Sequence, residues 1–218
     1  MGSERHPEQF VNRTTLGHWT KLENNVMTTE RFLQKLFEGY VRAFASFRWH
    51  TSSNYADLTA KELCHFSELG EKLGFIVRRE MNWRYPRDLC WLESLDKDAT
   101  PFLYLERESK DSRMLCTVEK MLNPENSKGI PVLAASFGHL TESSFDIALG
   151  MFKQGLGPNQ AALLFAWVGE REDAPHFEVS AAVVTPPRTV ITKAIPYVGA
   201  EDRYWRIRFD EARPWRQQ

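Results

Sequence analysis

Residues 101–110 read PFLYLERESK. Phe102 to Leu105 are apolar enough for the interior of a sheet, yet Glu106, Glu108 and Lys110 follow at alternate positions and, in a strand, project from one face. A core strand that ends in a row of charges needs a facing group to compensate them. The flanking sequence supplies the candidates.

Upstream, FIVRREMNW (75–83) and RDLCWLES (87–94) are short β-prone runs, separated from each other and from PFLYLERES by RYP and LDKDAT. The spacing predicts a meander of three neighbouring strands. Before them, DLTAKELCHFSELGEKLG (57–74) reads as a helix opened by a capping box, Thr59 with Glu62, carrying Leu63, Phe66, Gly70 and Leu73 on one stripe and ending at Gly74. After them, Asp111 is placed to cap a helix with Met114, Leu115, Val118, Met121 and Leu122 on its apolar side, stopped by Pro124. PVLAASF (131–137) follows as a continuous apolar strand. Strand, helix, strand is the pattern of a right-handed crossover, which sets PVLAASF parallel to PFLYLERE in one sheet.

Outside this core, Leu33, Leu36, Phe37, Tyr40, Val41 and Phe44 recur at helical spacing over residues 29–46. Residues 1–27 are polar, with Phe10, Val11, Leu16 and Trp19 available to pack on the body. A helix over 141–154 and four strands, QAALLFAWVG, FEVSAAVVT, TVITKAIP and RYWRIRF, extend the sheet or form a second layer. The expected division is an N-terminal arm and helix over 1–57, a core over 58–138 and a C-terminal α/β extension over 139–218, together one domain.

The chain has 218 residues with 28 Lys+Arg against 29 Asp+Glu, a formal charge of −1. Nothing global marks a polyanion or membrane partner, so any such contact must be local. Cys64, Cys90 and Cys116 have neither disulfide nor metal spacing and read as reduced core thiols. The polar N-terminus and the lack of an apolar run of about 20 residues predict a soluble, cytoplasmic protein. No Gly-rich phosphate loop or Ser or Cys nucleophile motif stands out.

Asp88 opens the second strand of the meander, and Glu106 and Glu108 close the third, so neighbouring strands bring three carboxylates together. Clustered carboxylates raise one another's pKa unless a cation compensates, and hard divalent ions prefer oxygen ligands, which points to Mg²⁺. Such an ion polarises a phosphodiester and acidifies bound water. A plainer reading pairs Glu106 or Glu108 with Arg78, Arg79 or Arg107 across the sheet.

A helix ending in GEKLGF, the strand IVRRE, then PRD, an apolar run into ERE, and a further helix and strand resemble the core of the PD-(D/E)xK, or restriction-endonuclease-like, nucleases over roughly residues 58–138. The resemblance implies an α/β restriction-endonuclease-like fold (helix, three-strand meander, helix, strand) with a C-terminal helix and strand extension. It also implies Mg²⁺-dependent hydrolysis of DNA, with Mn²⁺ able to substitute. Asp88 matches the first metal-binding acid, one residue displaced from Pro86, and Glu106 the second. Glu108 stands where Lys is usual, as in the Glu-x-Glu variant, and would be a third metal ligand or the general base. A competing frame takes Glu108 and Lys110 as the Glu-x-Lys pair; the first is favoured because FLYL runs directly into Glu106. In either frame Lys110 or Lys120 can supply positive charge. Glu71, then Glu68, best match the acid that many members draw from the preceding helix, and Glu80 is another acid within reach. Arg84, Arg87, Arg107 and Arg113 are the candidate DNA contacts. A homodimer is compatible with the resemblance. A non-catalytic module that binds nucleic acid or a protein partner is the alternative, kept open by Glu108 and the near-neutral charge.

Overall fold

The computed structural model describes residues 27–81, 87–96, 99–170 and 178–218. Among these residues five α-helices, α1 (Thr29–Ala43), α2 (Tyr55–Lys72), α3 (Met114–Leu122), α4 (Pro124–Ser127) and α5 (Glu142–Gly155), accompany nine strands. These are β1 (Ile76–Met81), β2 (Arg87–Leu92), β3 (Leu103–Glu108), β4 (Val132–Leu140), β5 (Ala161–Val168), β6 (Glu178–Thr185), β7 (Arg188–Val198), β8 (Trp205–Phe209) and β9 (Arg216–Gln217).

The strands form one sheet in sequence order from β1 to β8, with β9 paired to β7. β2 runs antiparallel to both β1 and β3; β3, β4 and β5 are parallel, and the remaining pairs are antiparallel. The meander and the parallel return of PVLAASF are therefore present, and the four C-terminal runs extend the same sheet instead of building a second layer.

Both faces of the central strands β3 to β6 are covered, which explains why these are largely apolar runs without polar alternation. Val132 and Ala134 of β4 face Phe37 and Tyr40 of α1 and Leu58 and Phe66 of α2. Leu133, Ala135 and Phe137 face Met114, Val118 and Met121 of α3 and Leu149 and Phe152 of α5. The same alternation along β3 turns Leu103 and Leu105 toward the first layer and Tyr104 toward the second. Of the cysteines only Cys90 lies in the core; Cys64 and Cys116 are free and exposed. No described helix is long and apolar enough to cross a membrane.

Two helix starts differ from the sequence expectation. α2 begins at Tyr55, capped by Asn54, whose side chain accepts from the Asp57 amide at 3.0 Å. Thr59 lies one turn inside the helix and its hydroxyl bonds back to the Tyr55 carbonyl at 2.9 Å, so the Thr59–Glu62 capping box does not form and Glu62 is free to turn inward. Asp111 opens a 3₁₀ turn (Asp111–Arg113) ahead of α3 with no side-chain cap. α2 ends as expected, with Gly74 at φ +87°, a conformation only glycine adopts without strain.

Candidate functional site

β2 and β3 pair antiparallel from Trp91↔Leu103 to Leu89↔Leu105, and the next step of that register sets Asp88 opposite Glu106 on one face. β3 continues to pair with β4 as far as Glu108↔Phe137. The last residues of β3 are thus laddered on one side only. Asp88 takes up the amide the ladder leaves over, its Oδ2 accepting from Arg107 N at 2.7 Å.

The open edge borders a cavity of about 540 Å³, lined by Asp88, Glu106, Arg107 and Glu108 from the strands, Thr59 from α2, and Ser109, Arg113, Cys116, Thr117 and Lys120 from α3 and the segment leading into it. Residues 113, 116, 117 and 120 are spaced as one helical stripe, so α3 presents a single polar face to the cleft. From that stripe Lys120 Nζ reaches Glu106 Oε2 at 2.8 Å, while Tyr104 Oη donates to Glu106 Oε1 at 2.6 Å.

Glu106 is 5% exposed. Burial raises its carboxyl above the ordinary range, the charge on Asp88 raises it further, and Lys120 and Tyr104 offset only part of this. Asp88 is likewise raised, first by burial, with Glu108 adding to it and the Arg107 amide and Lys120 opposing. Two neighbouring carboxyls that both resist ionisation leave room for more positive charge than Lys120 supplies.

Glu108 does not complete a three-carboxylate cage. Among the described residues no group of three Asp, Glu, His or Cys side chains is gathered to hold an ion. Glu108 lies two residues past Glu106, about 6.6 Å along a strand, and its Oε1 accepts from the Lys110 amide at 2.9 Å. Asp88 and Glu106 still suit Mg²⁺, which is held by one or two carboxylates and completes its shell with water and substrate phosphate. Each of their oxygens carries two lone pairs, so the bonds described do not exhaust them.

Lys110 is exposed and is not among the residues that line the cleft. Glu71 is also exposed, in the last turn of α2. It sits twelve residues, or about 18 Å of helix, beyond Thr59, the α2 residue at the cleft. The α2 acid near the site is Glu62, on the far side of β3. The basic residues divide as well. Arg113 is exposed at the cleft, but Arg87 and Arg107 are buried, at 3% and 7% exposure, and are not surface DNA contacts. Arg87 stacks over the Tyr104 ring at 4.9 Å and donates to the Asn126 carbonyl. Arg107 pairs with Glu62. Arg84 and the side chain of Glu80 lie outside the described residues.

The plainer salt-bridge pattern is not the one adopted either. Arg79 donates to Ser67 Oγ at 2.8 Å and the Leu63 carbonyl at 3.3 Å, and the cation on Glu106 comes from α3. The sequence reading makes Glu62 only a capping residue and misses its place beside Arg107, although an acid between Leu58 and Phe66 at i+4 spacing interrupts an apolar stripe. No family model, no curated protein and no solved structure matches the chain.

Proposed function

We propose that the protein is a divalent-metal-dependent nuclease that hydrolyses DNA phosphodiester bonds at the Asp88–Glu106 cleft. The observation that carries this reading is the juxtaposition of a half-buried and a buried carboxylate, Asp88 and Glu106, on one face of adjacent strands, at an open cavity, with Lys120 reaching Glu106 from α3. The antiparallel β1–β2–β3 unit followed by a parallel β4, with acids at the start of β2 and the end of β3, is also the arrangement that the PD-(D/E)xK resemblance implies.

Asp88 and Glu106 would hold Mg²⁺ or Mn²⁺, which when bound neutralises phosphate charge and acidifies water. Lys120 favours the ionised form of Glu106, against burial and the Asp88 charge, and adds positive charge beside the phosphate. Glu108, half-buried at the same cleft, would take the proton of the attacking water. Arg113, exposed at the rim, contacts the DNA backbone.

Cleavage of plasmid, single-stranded and branched DNA in Mg²⁺ or Mn²⁺ tests the assignment. Asp88→Ala and Glu106→Ala should abolish cutting, Lys120→Ala should slow it by about 10²-fold or more, and Lys110→Ala and Glu71→Ala should stay near wild type. A severe Lys110→Ala beside a mild Glu106→Ala contradicts the assignment in favour of the Glu108–Lys110 frame. Binding to all these substrates without cutting favours a non-catalytic nucleic-acid module.

A further inference from the structure

Behind the carboxylates, on the α2 side of β3, Arg107 Nε bonds Glu62, and the two side chains are 1% and 2% exposed. Tyr40 Oη donates to the other Glu62 oxygen at 2.6 Å, and Ser136 Oγ lies 3.5 Å from Glu62 Oε2. Arg107 Nη1 turns back onto the Glu108 carbonyl. A Cβ at Gly138 would stand 3.1 Å from Nη1 and 3.2 Å from Nη2, so the neighbouring strand leaves just enough space for the guanidinium.

We infer that Arg107 is a positioning residue for the three cleft acids and that Glu62 is its anchor, so that this buried pair sets the metal affinity of the cleft. The inference rests on the metal-dependent reading above. Arg107 stands between Glu106 and Glu108 in the chain, its amide holds Asp88 Oδ2 at 2.7 Å, and its guanidinium holds the Glu108 carbonyl. One residue therefore touches Asp88, Glu106 and Glu108 through its backbone or side chain, at the stretch of β3 where pairing with β2 has stopped.

Energetics point the same way. Arg107 Nη2 is buried without a hydrogen-bond partner, and a buried ion pair of this kind is commonly no more stabilising than well-packed apolar residues of similar volume. As glue between α2 and β3 the pair is a poor choice. As a fork that fixes the end of a strand laddered on one side only it has a role that apolar side chains cannot fill.

The test is Mn²⁺ titration followed by electron paramagnetic resonance, on the full chain and well below its melting temperature. It compares wild type with the double variant Glu62→Met/Arg107→Met and with Arg107→Lys, using the metal-free melting temperature as the fold control. The double variant should melt near or above wild type yet bind Mn²⁺ at least tenfold more weakly, and Arg107→Lys, which cannot span Glu62 and the Glu108 carbonyl together, should also bind more weakly. If the double variant does not fold, Glu62→Gln, which keeps the shape, carries the same expectation. Affinity within twofold of wild type in a folded variant overturns the positioning role and leaves the metal site standing. A wild type that binds no Mn²⁺ overturns the metal-dependent reading and this inference with it.

Discussion

Asp88 and Glu106 are each raised by burial and by a neighbouring acid, and the sign of the effect on stability follows. A carboxyl whose folded pKa exceeds its unfolded value of about 4 binds more protons when folded, so its contribution to stability falls as pH rises through the interval between the two. Without metal, Asp88→Asn should therefore melt increasingly above wild type as pH is raised from about 4 to 7. Mg²⁺ should close that gap by stabilising wild type alone. Parallel melting curves for the two proteins over that range, with or without Mg²⁺, would remove the carboxylate pair as a metal site. That Asp88, Glu106 and Glu108 border one cleft was legible, because strand alternation is a local property of the sequence, although Glu108 does not join the other two around one ion. The loss of Arg87 and Arg107 to the interior was not, because a charged residue in a strand is drawn inward only by a partner from another element, here Tyr104 and Asn126 for one and Glu62 for the other.

The first four strands and the helices around them were readable from turn residues and periodicity, and what escaped was phase. Opening α2 at Thr59 makes Glu62 a capping residue, whereas opening it at Asn54 puts Glu62 in the middle of the buried stripe, facing Arg107. The position of this helix is set by close packing. Trp91 of β2 donates to the Phe66 carbonyl at 3.1 Å, and a Cβ on Gly70 would lie 2.6 Å from Trp91 Nε1 and 2.8 Å from Val77 Cγ2. Gly70→Ala, although favourable for an isolated helix, should thus destabilise the protein by about 1–3 kcal/mol through overpacking. For a chain of this size each kcal/mol lowers the melting temperature by about 2–4 °C. An unchanged or higher melting temperature would show that α2 is not seated against Trp91 as described.

Across the whole molecule the sheet combines two patterns, an antiparallel meander and a parallel pair of crossovers, and the cleft lies where they meet, at the end of β3. Individual strands past residue 160 were visible as apolar runs, but their joining to one sheet depends on pairings between distant segments that no local window contains. Coverage of both faces then forces every charge within the sheet to find a partner or an open edge, and the open edge at Asp88 and Glu106 is the one lined by Lys120 and Arg113. A divalent ion shared by these two carboxylates underlies both the nuclease reading and the role given to Arg107. Direct Mn²⁺ binding to wild type, Asp88→Asn and Glu106→Gln, measured by calorimetry at pH 7 without nucleic acid, addresses it most plainly. The expected result is saturable binding to wild type that weakens at least tenfold in either variant; equal binding in all three proteins, or none in wild type, would contradict it.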